Sequence, residues 1–329
     1  MRGPHQKGEI IKERYQIRRV IGEGGMGRVY LADDLRLTGR LCALKAVVYD
    51  SSLPGDVIRQ TRRQFQREAN VLARLDHPNL PKVSDYFSSE NRDYLVMDYV
   101  PGKDLMSLVE EWKRKGKTPQ EREVLNWASQ IADALIYLHQ QDPVILHRDI
   151  KPSNIKLTPN GVIKLVDFGL VKLLASGEKT ITVVQGHGTA YYTPLEQYGG
   201  DTGHTDPRSD VYSFGATLYH LLTLHPPKEA RQRFLNPGEM KTLQLLNQNI
   251  SPRTEQAIEA AMAVHPKDRL QSVEEFKQAL LGDWDPTRNP NAALPGPQLR
   301  DFFRGSDEQL LAMLAALMFL VSVLATVAK

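Results

Sequence analysis

From Tyr15 the apolar positions alternate. Tyr15, Ile17 and the pair Val20-Ile21 predict a strand that runs into a glycine cluster at residues 22–27. The run Leu41-Cys42-Ala43-Leu44-Lys45-Ala46-Val47-Val48 is apolar on both strand faces except at Lys45, which predicts a strand covered on each side. The period then changes. Over residues 56–76, Phe65, Leu72 and Leu75 recur at helical spacing, and Glu68 falls on the same stripe, three residues after Phe65 and four before Leu72. The turn Asp76-His77-Pro78-Asn79 precedes two more strand candidates, the second of which, Tyr94-Leu95-Val96-Met97-Asp98-Tyr99-Val100, stops at Pro101-Gly102. Beyond Pro119, Val124, Trp127 or Ala128, Ile131, Ala134 or Leu135 and Leu138 mark a long buried helix, and Asp210-Val211-Tyr212-Ser213-Phe214-Gly215 opens another. Strands gathered early and helices late predict an α+β chain with two lobes, residues 15–100 and 101–281.

The two ends differ from this body. Residues 1–14 are polar and charged, without the apolar segment of a signal peptide, and are expected to form a tail. From Gly282-Asp283-Trp284-Asp285-Pro286 onward the chain is rich in Pro, Asn, Gly and Arg up to Gly305, so residues 282–309 are expected to be a linker. Residues 310–328 then give about 19 positions without a charge, enough at 1.5 Å per residue to cross roughly 28 Å of hydrocarbon. This predicts a single C-terminal transmembrane helix, with Arg300 and Arg304 placing the globular body on the cytoplasmic side of the cell membrane. Tail anchoring is the direct reading, and a homodimer in the membrane is compatible with it.

Composition narrows the class further. The 329 residues are 41% hydrophobic and 25% charged, ordinary for a globular protein of about two lobes. Basic residues exceed acidic ones by only 42 − 39 = 3, so no strong field points to nucleic acid. One cysteine, Cys42, excludes an intrachain disulfide framework, fits a reducing compartment, and is expected to pack as a small apolar residue.

The candidate chemistry lies in three stretches. Gly22-Glu23-Gly24-Gly25-Met26-Gly27 can form a tight hairpin whose N–H groups approach phosphate oxygens, and strand residues on both sides argue against a dinucleotide-binding strand-turn-helix. Lys45, in an apolar strand, needs an anion or a route to solvent. Leu146-His147-Arg148-Asp149-Ile150-Lys151-Pro152-Ser153-Asn154, followed by Val166-Asp167-Phe168-Gly169, sets two carboxylates, a lysine and an amide close together, as metal-assisted phosphoryl transfer requires.

In this order the motifs resemble those of the bacterial eukaryotic-like (Hanks-type) Ser/Thr protein kinases, over residues 15–281. The resemblance implies a bilobal kinase fold, with a β-rich N-lobe and a mainly helical C-lobe, that uses ATP and Mg²⁺ on protein substrates. It implies that Ile21, Gly22, Glu23, Gly24, Gly25, Met26, Gly27, Val29, Ala43, Lys45, Met97, Asp98 and Val100 bind the nucleotide, with Met97 guarding the back of the pocket. Glu68 is expected to pair with Lys45, Asp149 to orient the substrate hydroxyl, Lys151 to stabilise the transferring phosphoryl group, and Asn154 and Asp167 to ligate the metal. Lysine at position 151 marks the Ser/Thr-directed members.

Further expectations concern the segment between Asp167 and Glu196. Thr180 and Thr182 look like autophosphorylation sites, Arg148 like the partner of a phosphate placed there, and Thr189 like the threonine that contacts the catalytic aspartate and lysine. The chain departs from the family in two places. Pro194-Leu195-Glu196 replaces the usual Ala-Pro-Glu, with Glu196 in register to pair with Arg269, and Lys156 stands where most members put an apolar residue on the adenine floor. Two alternatives stay open: a membrane-anchored nucleotide-binding scaffold without activity, and a small-molecule phosphotransferase.

Overall fold

A computed structural model of the chain describes residues 4–24, 27–49, 54–89, 92–167, 189–198, 205–282 and 284. Strands dominate its first part. β1 (Ile10–Ile11), β2 (Tyr15–Gly24), β3 (Gly27–Asp34), β4 (Leu41–Val48), β5 (Val83–Ser89) and β6 (Arg92–Asp98) form one antiparallel sheet in the order β1-β2-β3-β4-β6-β5. Helix α1 (Gly55–Leu72) leaves the sheet after β4 and buries Phe65, Glu68, Ala69 and Leu72. It is shorter than residues 56–76 at its C-terminal end, because the chain after Ala73 turns toward His77-Pro78.

The two-residue alternation of β4 divides this lobe into two cores. Cys42, Leu44 and Ala46 point to an outer cluster with Tyr15, Ile17, Tyr30, Phe87, Tyr94 and Val96. Ala43 and Val47 point inward, to a core that continues through Phe65, Leu95 and Met97 into the second lobe. Cys42 is fully buried, donates to the Ala32 carbonyl and has its thiol pKa pushed up to about 11 by burial, which agrees with a packing role. The outer cluster is covered from an unforeseen direction. Residues 4–14, expected to be a polar tail, lie along the sheet: β1 pairs with β2, and Ile11 and His5 are buried. His5 and the pair Ile10-Ile11, of which Ile11 is the buried member, sit in a polar stretch with too few apolar positions for any periodicity to reveal them.

The second lobe is helical. Beyond the short strand β7 (Lys103–Asp104) come α2 (Leu105–Lys115), α3 (Glu121–His139), β8 (Ile155–Leu157), β9 (Ile163–Leu165), α4 (Pro207–Thr223), α5 (Ala230–Leu235), α6 (Leu243–Leu246), α7 (Pro252–Ala261) and α8 (Val273–Leu281). Asp104 caps α2 by accepting from the Ser107 N–H at 2.8 Å, and Gly116 ends it in the left-handed conformation. α3 and α4 form the centre, with Leu135, Leu138, Val211, Tyr212 and Phe214 fully buried. Phe214 of α4 meets Phe276 of α8 edge to face, with centroids 5.1 Å apart, an arrangement worth about 0.5–1.5 kcal/mol beyond area burial. β7, β8 and β9 make a small sheet beneath the interlobe connection and carry the candidate chemistry.

No helix among the described residues is long and apolar enough to cross a membrane. Residues 310–328 lie outside the described residues, as do most of residues 282–309.

Candidate active site

Three structural decisions place the site. The first is the register of β4. Lys45 pairs with Val29 on β3 and Leu95 on β6, so its side chain leaves the inner face between the glycine hairpin and Met97. The second is Gly27, whose φ is +145° and where an added Cβ would collide with the Ala46 carbonyl oxygen. Only glycine lets β3 lie this close to the lysine strand. Gly24 faces Gly27 across the hairpin, Glu23 pairs with Arg28, and Ile21 and Val29 are half-buried against the core. Gly25 and Met26 lie outside the described residues.

The third decision is the loop from His147 to Asn154. Asp210, fully buried at the start of α4, accepts from the backbone N–H groups of His147 and Arg148, each at 2.8 Å, and from His139 Nε2 at 2.9 Å. Burial alone would raise the Asp210 pKa, but His139 and these contacts hold it below the ordinary carboxylate value. The anchored loop turns through Arg148, at φ 64°, and presents Asp149 to the interlobe side. Asn154 donates its amide to the Asp149 carbonyl and to Asp149 Oδ2, both at 2.8 Å, while Lys151 Nζ lies 2.9 Å from the same Oδ2. Using its N–H groups in this way leaves the Asn154 side-chain oxygen for another partner. Lys151 also donates to Thr189 Oγ1 at 3.0 Å, the contact expected of that threonine.

Asp167 follows directly. Val166 donates its N–H to the Asn154 carbonyl at 2.9 Å, and Asp167 takes φ 58°, which brings two oxygen-bearing side chains to neighbouring loops. Its Oδ1 lies 2.8 Å from Lys45 Nζ. Burial opposes the charge on Asp167, but Lys45, Lys151 and His147 outweigh it, and the pKa falls below the ordinary carboxylate value. This corrects one expectation, since Lys45 pairs with Asp167 and not with Glu68. Glu68 is buried on α1, where Gln64 Nε2 donates to it at 3.1 Å, but Asp167 is the carboxylate within ion-pair distance of the lysine. An amide oxygen and a carboxylate, both hard donors, fit a small divalent cation that completes its shell with water and phosphate oxygens.

The interlobe strand supplies the remaining wall. Met97 and Ala43 are neighbours across β6 and β4 and are nearly buried, and Met97 closes a small recess with Leu72, Val83 and Leu95. Asp98 is exposed, and its side chain accepts from Arg40 at 3.1 Å. Val100 is buried, and at Gly102 an added Cβ would collide with the Leu157 carbonyl, so β8 sits directly under the connection.

Comparison with known proteins decides the family, because the protein kinase domain matches residues 15–284. The chain belongs to the eukaryotic-like Ser/Thr protein kinases. It is 32% identical over 308 residues to the probable serine/threonine-protein kinase CPE1738 of Clostridium perfringens, covering 89% of this chain and 41% of that protein. The Bacillus subtilis serine/threonine-protein kinase PrkC is 35% identical, with 85% and 42% covered. The chain thus spans less than half the length of these curated relatives. Among solved structures, the PknI kinase domain of Mycobacterium tuberculosis superposes with a TM-score of 0.63 at 29% identity, covering 84% of this chain and 98% of that one.

Two departures from the kinase pattern now have a geometry. Glu196 of the altered Pro194-Leu195-Glu196 keeps its ion pair, as Arg269 donates from both terminal nitrogens at 2.6 and 2.8 Å and Ser209 adds a hydroxyl at 2.8 Å. Lys156 sends its ammonium to the Gly102 carbonyl at 3.0 Å, ending at the rim of the connection. Thr180 and Thr182 lie outside the described residues, as do Phe168 and Gly169. Sequence reasoning missed His139, and the chemistry of its partner gave the only signal: a buried Asp210 needs a donor beyond two backbone N–H groups.

Proposed function

We propose that this kinase transfers the γ-phosphoryl group of ATP, with Mg²⁺, to Ser and Thr hydroxyls of proteins, including threonines of its own segment between Asp167 and Thr189. The observation that carries the reading is the Lys45–Asp167 contact of 2.8 Å, which joins the sheet of one lobe to the loop that neighbours the one holding Asp149 and Asn154 in the other. Lys45 holds phosphate oxygens, and Asp149, oriented by Asn154 and Lys151, positions the acceptor hydroxyl and receives its proton. Lys151 stabilises charge on the transferring group. Asn154 and Asp167 would hold Mg²⁺, which would offset the negative charge of the phosphates when bound.

Phosphorylation of the segment has a receptor in Arg148. Its Nε and Nη1 are buried with no hydrogen-bond partner among the described residues, and burial pushes the guanidinium pKa down against the pull of Asp210 and Glu68. A phosphate on the segment would satisfy both nitrogens. Residues 310–328 are proposed to tether the kinase to the membrane, with homodimerisation as the route to phosphorylation between copies.

The test is incubation of the full chain with labelled ATP and Mg²⁺ beside peptide and small-molecule acceptors, with phosphosites mapped by mass spectrometry. Magnesium-dependent phosphothreonine between residues 168 and 189 and labelled Ser or Thr peptides are expected. Nucleotide binding without transfer would favour the inactive scaffold, and label confined to small molecules would favour the other alternative.

A further inference from the structure

The N-terminal residues hold one side chain that is more fully engaged than a tail would require. His5 is 8% exposed, over the outer face of the sheet. Its Nε2 lies 2.8 Å from the Tyr94 hydroxyl and 2.9 Å from Arg92 Nη1, both on β6, and its Nδ1 lies 2.6 Å from Glu9 Oε1. Its backbone N–H donates to the Tyr30 hydroxyl on β3 at 3.2 Å. A guanidinium has no lone pair to offer, so Nε2 must accept and Nδ1–H must donate to Glu9. His5 therefore ties β3, through its backbone N–H, to β6, through its imidazole, and the ring turns the segment back on itself through Glu9.

The strand between β3 and β6 is β4. Tyr30 pairs with Leu44 and Tyr94 pairs with Ala46, so His5 spans β4 over the two residues that flank Lys45. Leu44 and Ala46 face the outer cluster under His5, and Lys45 leaves the opposite face toward Asp167. A phosphate-binding lysine must be held within about 0.5 Å of its working position, which calls for support behind its strand.

We infer that residues 4–11 form a strap in which His5 is a positioning residue for Lys45, acting through β4 from the side of the sheet away from the nucleotide. The inference rests on the nucleotide reading above and adds a determinant remote from it. The strap exerts its effect on ATP affinity, because its bonds fix the spacing of β3, β4 and β6, whereas Asp149 and Lys151 are held by α4 and Asn154 in the other lobe.

The experiment compares the full chain with His5→Ala, His5→Phe and His5→Asn, together with Leu270→Ala, a buried position of the second lobe that controls for lost stability. Dissociation of a fluorescent ATP analogue, KM for ATP and kcat are measured well below each variant's unfolding temperature. For His5→Ala and His5→Phe, KM and the dissociation constant should rise about fivefold or more with kcat changed much less, the split that marks lost ground-state binding. His5→Asn, which can accept and donate, should recover most of the affinity, and Leu270→Ala should leave it unchanged. Unaltered ATP affinity in His5→Ala would overturn the inference, as would an equal loss in Leu270→Ala. Failure of the unsubstituted chain to bind ATP would instead overturn the nucleotide reading, and the strap with it.

Discussion

Arg269→Met should be among the most damaging single substitutions outside the catalytic loop. The Arg269 side chain is 0% exposed, and its guanidinium donates to both Glu196 oxygens and to the carbonyls of Ala263, Val264 and Arg208 at 2.6–3.1 Å. It also lies over the Tyr212 ring at 5.0 Å. Methionine fills the volume but leaves Glu196, only 11% exposed, with the Ser209 hydroxyl as its remaining donor among the described residues. Removing one partner of such a pair costs about 3–5 kcal/mol, chiefly through the uncompensated charge. At about 2–4 °C per kcal/mol for a domain of this size, the midpoint of thermal unfolding should fall by roughly 6–20 °C. Scanning calorimetry of the wild type, Arg269→Met, Glu196→Leu and the double variant measures both the loss and the coupling. The double variant should be more stable than Arg269→Met, since it buries no orphan carboxylate. A fall of less than about 2 °C in Arg269→Met, or a double variant that loses the sum of the single effects, would refute the reasoning.

Two further outcomes follow from local geometry. Gly27→Ala sets a methyl group against the Ala46 carbonyl at a φ unsuited to L-residues, so β3 and β4 must part and Lys45 must move; steady-state phosphotransfer should fall about a hundredfold, and wild-type turnover would contradict the packing argument. Asp210 is held below the ordinary carboxylate pKa, so its stabilising contribution is complete above the unfolded value of about 3.9 and is lost as pH falls through the lower folded value. Urea midpoints measured from pH 7 to acid should therefore decline more steeply for the wild type than for Asp210→Asn below about pH 4, and parallel profiles would remove Asp210 from the acid transition.

The sequence carried much of this fold because its two periods are clean. The alternation in residues 41–48 and the helical stripes through Phe65 and through Val124 to Leu138 correspond to β4, α1 and α3. The catalytic loop was legible from chemistry, since Asp149, Lys151, Asn154 and Thr189 converge by short contacts that residue types and order anticipated. The choice of partner for Lys45 was not. Two carboxylates, Glu68 and Asp167, are far from the lysine in the chain, and only the left-handed backbone at Asp167 brings one of them to 2.8 Å. The packing of residues 4–14 was illegible for a related reason. His5 and the short pair Ile10-Ile11 sit in an otherwise polar segment, and the burial of His5 depends on a hydroxyl from β3 and a hydroxyl and a guanidinium from β6 that no local pattern announces.

The central claim is that Asp149 acts on an acceptor hydroxyl while Lys45, Asn154 and Asp167 serve the nucleotide. Its most direct test is single-turnover transfer from labelled ATP to a threonine peptide by the full chain and by Asp149→Asn, with ATP affinity measured on the same samples. Near-normal nucleotide binding together with transfer lowered by at least about a hundredfold is the predicted result. Transfer at the wild-type rate by Asp149→Asn would contradict the account.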